Sequence, residues 1–344
     1  MTDTVYAQWA LGAPILSLCS NRRGDWMAVA CADGGVRFLP ASDEAIAPVT
    51  VSAHKGAFLL APDADAHAFL SAGEDGTFSI LDPLIEAPTV LEERSGQVLS
   101  GVSSTPHGEK RAYGAGRDVI VLRDDGTPQF PKPMTITASL RGMSFCPDGT
   151  QLAVSCDGRV FLWSVDPSRS EPDLLSEEGV ALEPVWGDGV LFAFLRDGAL
   201  GGWTLGDRAV ILLPGYDAPP LSMGFSAGGR FLVTSGAPQA LCWEKKASGF
   251  ASSPFRLGEP GKRLVSFVAP HPSEALVALG YDDGLLVLAP LDGRREIILR
   301  PPCGAGVCGL SWNGPGDALF AAVRPDILLL FTLKSVRKAF SYAR

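Results

Sequence analysis

The feature that most constrains this chain is that it repeats itself at intervals of 40 to 46 residues along its 344-residue length. The clearest copy is "SFCPDGTQLAVSCDGRVFLWSVD", residues 144–166. It reads as a strand end, a Pro-Asp-Gly turn, an apolar strand, an Asp-Gly turn and a strand ending in Trp163. The same strand end recurs at Leu39, Leu81, Leu122, Trp203, Trp243, Ala289 and Phe331, so the eight positions are separated by 42, 41, 41, 40, 40, 46 and 42 residues. A period this steady falls in the range of a four-stranded propeller blade.

The other parts of the unit recur with it. A first strand runs into a turn rich in Pro, Asp and Gly ("LLAPDA", "FVAPHP", "LSWNGPG"), and a second strand of small and apolar residues follows ("WMAVACA", "FLVTSG", "ALFAAV"). Asp-Gly between short apolar runs is a strong hairpin signal, because Gly takes positive φ and Asp bonds its own turn backbone. The expectation is an all-β propeller of eight four-stranded antiparallel blades, with seven as the alternative. One domain over 1–344 is expected, ending in a short basic tail at 334–344.

The repeat length, the two turns and the strand-ending Trp resemble the WD40 family of β-propellers over nearly the whole chain, most closely at 144–166. The Trp-Asp dipeptide of that family is absent; its nearest relatives are "LWSVD" and "GWTLGD". In "SAHKG", His54 with Ser71 and Asp75 resembles three members of the family's structural hydrogen-bond tetrad, with Leu81 where the fourth, Trp, would stand. The resemblance implies that the N-terminal segment, near 4–11, supplies the outer strand of the last blade beside 327–333 and closes the ring. It also implies a partner-binding face formed by the second-to-third strand turns and the fourth-to-first loops.

Composition narrows the function. A net charge of −9 and a pI near 5.0 oppose nucleic-acid or anionic-membrane partners, which need a basic surface. The N-terminus does not look like a signal peptide, and no run approaches the length of a membrane span. Seven scattered cysteines, an odd number, fit reduced thiols in the cytoplasm.

The chain carries no nucleophile elbow, HExxH, Walker loop or paired catalytic carboxylates. No catalytic residue, cofactor or metal is therefore assigned. Asp33, Asp75, Asp157, Asp197 and Asp283 read as turn caps. Trp186, Phe225, Phe267 and Trp312 share the place of Phe145 and read as aromatics packed between blades. Cys303 and Cys308 lack the further ligands a zinc site needs, since the four histidines at 54, 67, 107 and 271 stand elsewhere.

Arg117, Arg159, Arg196 and Arg324, with Tyr216 and Tyr281, fall in the turns and loops of the expected binding face, and Arg and Tyr are enriched at interface hot spots. The reading is a cytoplasmic, non-catalytic scaffold that docks a protein or peptide partner, a monomeric propeller within a larger assembly. Two alternatives stay open: a propeller hydrolase with a metal in its channel, and a metal-handling accessory protein using Cys31, Cys156 and Cys303.

Overall fold

The computed structural model describes residues 5–42, 46–107, 109–169, 171–179, 183–195, 199–206, 208–216, 220–247, 249–292 and 294–341; at 158, 177–179 and 338–341 it describes the backbone only. The apolar runs form strands and the Gly-containing pairs form the turns between them. In blade one the strands are Ile15–Ser20, Trp26–Cys31, Gly35–Pro40 and Val49–Ser52, paired antiparallel in that order. The pattern repeats through eight sheets, and all eight strand ends read from the sequence lie in third strands.

Blade six differs in one respect: its third strand, Ala240–Lys246, pairs with both Phe255–Leu257 and a short hairpin at Gly249–Phe250. Its sheet thereby has five strands, and this insertion accounts for the one long interval of 46 residues. The first strands adjoin one another around a central channel, and the ring closes where Ile15–Ser20 meets Val307–Trp312.

Closure is made by pairing. Ala7–Ala10 lies antiparallel to Ile327–Thr332, with Ala7 opposite Leu330 and Ala10 opposite Ile327. The N-terminal strand is thus the fourth strand of blade eight, as expected, and it covers an apolar edge that would otherwise be open.

Burial explains the composition of each strand. Second strands lie between two neighbouring blades, so Phe69–Gly73 and Ala318–Val323 are buried along their whole length and read as continuous small and apolar residues. Fourth strands face solvent on one side and alternate, as in Val210–Leu213, where Val210 and Leu212 are exposed and Leu213 is buried.

The turns between first and second strands are latched to the next blade. Asn21 Oδ1 accepts the amides of Gly24, Asp25 and Trp26, while its Nδ2 donates to the His67 carbonyl of blade two at 3.1 Å. His271 does the same work in blade seven: Nδ1 accepts the amides of Ser273 and Glu274, and Nε2 donates to the Gly316 carbonyl of blade eight at 2.6 Å. Trp186 and Trp312 each donate an indole N–H to a carbonyl of the preceding blade, Ser144 at 3.0 Å and Ala269 at 2.9 Å. Phe145 and Trp312 are buried; Trp186, Phe225 and Phe267 are half-buried.

The chain ends in helix α1, Leu333–Ser341, which buries Leu333 and Val336 against blades seven and eight and pairs Arg337 with Glu274. The basic segment expected as a tail is therefore docked over these residues. Among the described residues no helix is long and apolar enough to cross a membrane.

Candidate functional site

The Asp-Gly turns gather on one face because each second strand ends there and each first strand begins there. Gly34, at φ +82°, accepts the amides of Ala53 and His54 on its carbonyl, and a Cβ at this position would lie 2.0 Å from the His54 carbonyl oxygen. Only glycine lets turn and loop approach this closely. Asp33 Oδ1 accepts the Gly35 amide at 3.0 Å and an N–H of Arg37 at 2.7 Å. Asp283 Oδ1 accepts the Leu285 amide at 3.1 Å, and Asp75 Oδ1 the Thr77 amide at 3.1 Å. Asp157 is half-exposed and grips Arg141 through both carboxylate oxygens, at 2.7 and 3.0 Å. Asp197 lies outside the described residues.

The group expected from His54, Ser71 and Asp75 is joined only in part. His54 Nδ1 and the Thr77 hydroxyl both meet Asp75 Oδ1, at 3.0 and 2.7 Å, and the Lys55 amide donates to Oδ2 at 2.9 Å. These bonds to the charged form hold the Asp75 carboxyl well below the usual carboxylate range, against the opposing effect of burial. Ser71 stands apart from His54. With Leu81 in the fourth place no indole N–H reaches it, and its hydroxyl turns to the Ser79 carbonyl at 3.5 Å.

Of the residues expected to bind a partner, Arg117 and Arg324 are exposed on the Asp-Gly face, and neither forms an ion pair among the described residues. Arg159 is half-buried and donates to the Thr137 hydroxyl at 3.2 Å. Arg196 lies outside the described residues. The two tyrosines are not at the rim. Tyr281 is fully buried between blades six and seven, among Val233, Cys242 and Leu257, because packing there claims its ring; burial pushes its phenol up to about 12. The Tyr216 hydroxyl is held by Thr234 at 3.0 Å and by the Trp243 indole at 2.9 Å.

A set of residues absent from the sequence reading defines this face more sharply. Leu16, Leu59, Val98, Leu221 and Leu264 stand at the start of the first strands of blades one, two, three, six and seven, where those strands meet the Asp-Gly face. All are large aliphatic side chains between 39% and 56% exposed. Leu16 is the extra residue of a bulge between Ile15 and Ser17, and Arg141 of blade four and Cys308 of blade eight occupy the same bulge in their own strands. Bulges re-aim side chains, here at the rim of the channel. For Leu16 the signal in the sequence was an aliphatic residue at the bulge position, where other blades carry Ser100, Arg141, Ser266 and Cys308.

Inside the channel, the Cys19 thiol of blade one feels the charge of Glu183, which precedes the first strand of blade five, although the two blades are opposite in the ring. Burial, assisted by the Glu183 carboxylate, pushes the Cys19 thiol up to about 12; Glu183 itself is exposed to the solvent of the channel, and the protein massed around that channel pushes its carboxyl up to about 7. All seven cysteines are free; Cys31 and Cys156 are buried and Cys303 is exposed. Among the described residues no three His, Cys, Asp or Glu side chains converge as metal ligands would.

On the opposite face an ion network ties blades one to three together. Asp63, fully buried, accepts Arg111 Nε at 2.8 Å and Arg111 Nη2 at 2.9 Å. Arg22 donates Nε to the Asp63 carbonyl at 2.7 Å and Nη2 to the Ser104 carbonyl and hydroxyl, both at 2.8 Å.

A profile of the family described as "WD domain, G-beta repeat" (WD40) matches residues 133–164, the blade in which the repeat is clearest. Among solved structures, the computationally designed Ika8 protein superposes with a TM-score of 0.75 at 13% identity, over 94% of this chain and 98% of that one. The C-terminal WD40 domain of Sif2 superposes with a TM-score of 0.74 at 14% identity, over 96% and 99%. Likeness at such identity speaks for the fold. No curated protein matches the chain in sequence.

Proposed function

We propose that this eight-bladed propeller of WD40 type is a non-catalytic interaction scaffold that docks a segment of a partner protein over the channel mouth on the Asp-Gly face. The observation that carries the reading is the ring of Leu16, Leu59, Val98, Leu221 and Leu264. Leu16 and Leu59 lie in the inner strands, Val98, Leu221 and Leu264 just before them, and all five are exposed to solvent, where their exposure has no folding benefit. A partner's apolar residues would cover them, and Arg117 and Arg324, which form no ion pair among the described residues, would meet its acidic groups.

The test is capture of partners from host lysate by the tagged chain, compared with two variants: one with Leu59→Asp and Leu264→Asp, the other with Arg117→Glu and Arg324→Glu. Both are expected to keep the circular dichroism spectrum of the parent and to lose the same captured proteins. Retention of those proteins by both folded variants would exclude this face.

A further inference from the structure

The face away from the Asp-Gly turns opens into a funnel of about 620 Å³ at the end of the channel, within the size range of small-molecule sites. Its wall carries Pro62, Pro106, Pro270 and Trp312, with Arg22 and Ser311 among its polar groups. Pro62 and Pro270 end first strands and Pro106 lies in the turn that follows one, so the wall is stiff and largely apolar.

Arg22 is anomalous in this setting. Two of its three guanidinium nitrogens are held by neutral carbonyls and a hydroxyl, at 2.7 to 2.8 Å, and it forms no ion pair among the described residues. Asp63, the nearest carboxylate, has both oxygens taken by Arg111. Glu183 faces the same channel from blade five and is not paired with Arg22. Burial pulls the Arg22 pKa down, opposed by the charge of Asp63, a carboxylate whose two oxygens are already committed to Arg111. Its third nitrogen, Nη1, has no hydrogen-bond partner among the described residues, and Arg22 lines the funnel. Hydrogen bonds to blades two and three fix the guanidinium, so binding there would order little that is not already ordered.

We infer that the funnel binds a small carboxylate with an apolar body, its oxygen on Arg22 Nη1 and its body against the prolines and Trp312. A carboxylate meets the unpaired positive charge through a charge-assisted hydrogen bond, the apolar wall removes water from the rest, and the Ser311 hydroxyl offers a further polar contact. A neutral ligand of the same shape would leave Arg22 without its counter-charge, and a cation would be repelled.

The test uses the full chain and three matched probes, benzoate, benzyl alcohol and benzylamine, followed by ligand-observed saturation-transfer NMR. Benzoate is expected to bind at least about tenfold more tightly than benzyl alcohol, the factor one charge-assisted hydrogen bond carries, and benzylamine not at all. Arg22→Gln should erase the preference for benzoate. Because Arg22 also bridges blades, Pro106→Asp is the second variant: it sets an anion at the funnel mouth without touching the bridge, and should likewise abolish benzoate binding while leaving the fold intact. Equal binding of benzoate and benzyl alcohol, no binding of benzoate, or benzoate binding that survives either folded variant would overturn the inference.

Discussion

The indole N–H of Trp243 donates to the hydroxyl of Tyr216 at 2.9 Å, and that hydroxyl shares a second bond of 3.0 Å with Thr234 Oγ1. The three residues occupy the places that Leu81, His54 and Ser71 hold in blade two. Trp243 pairs with Leu232 as Leu81 pairs with Phe69, Thr234 and Ser71 stand two residues further along their strands, and Tyr216 and His54 lie in the loops before their first strands. Blade six therefore carries a hydrogen-bonded chain of the tetrad kind with tyrosine in place of histidine. Blade two keeps only its His54–Asp75 end.

Tyr216→Phe is accordingly a structural change. It leaves the buried Trp243 N–H and Thr234 hydroxyl with one fewer partner at almost constant volume, which should cost about 1–3 kcal/mol. The check is the urea unfolding midpoint. An unchanged midpoint combined with lost partner capture would return Tyr216 to the binding surface.

Burial separates two aspartates that look alike in sequence. Removing Asp63 leaves the buried Arg111 guanidinium only its contact with the exposed Asp124, 3.2 Å to the carboxylate, so Asp63→Ala should lower stability by about 3 kcal/mol. Asp157 and its partner Arg141 are both about half-exposed, so Asp157→Ala should change stability by no more than about 1 kcal/mol. Parallel thermal denaturation of the two variants decides it; equal shifts would mean that burial is not what distinguishes them.

What the sequence made legible was whatever depends on local chemistry: turn glycines, second strands apolar throughout, and a strand-ending residue that keeps its register through eight units. Ring closure by Ala7–Ala10 was legible through the resemblance to the WD40 family, in which the N-terminal segment supplies the outer strand of the last blade. The site was less so. Tyr281 and Tyr216 sit beside turns in sequence, yet side chains there point either into solvent or between blades, and spacing alone does not choose. The exposed Leu16 and Leu59 look like core residues in a one-dimensional reading, because only a bulge or a strand start at the channel rim turns them outward. Arg22 and Asp63 are 41 residues apart and meet only because consecutive blades do.

Two carboxyls should act on stability with opposite signs. Asp75 is held below its ordinary value, so its contribution is present above the unfolded value near 4 and fades as pH falls toward the folded one. Glu183 is raised to about 7, so the folded chain binds the extra proton and stability declines as pH rises from about 4.5 toward 7. Denaturation midpoints measured from pH 3 to pH 8 should show Asp75→Asn flattening the acid limb and Glu183→Gln flattening the slope between pH 4.5 and 7. A Glu183→Gln profile parallel to the parent's would show that the channel does not shield this carboxyl.

The last prediction concerns the strand that closes the ring. Among the described residues Ala7–Ala10 is the one strand that pairs with the outer edge of Ile327–Thr332, a third strand with the sequence ILLLFT that is buried along nearly its whole length. Deleting residues 1–11 leaves that edge with unpaired N–H and C=O groups in an apolar strand, a ready template for pairing with another molecule. The truncated chain should melt at a lower temperature and form oligomers on size-exclusion chromatography that grow with concentration. A synthetic peptide of residues 1–14 added in trans should restore both the melting temperature and the elution volume of the full chain, because the register of Trp9 against Leu328 and Gln8 against Leu329 is set by the strand itself. A truncated chain that melts and elutes like the parent would show that the ring is held shut by blade packing alone.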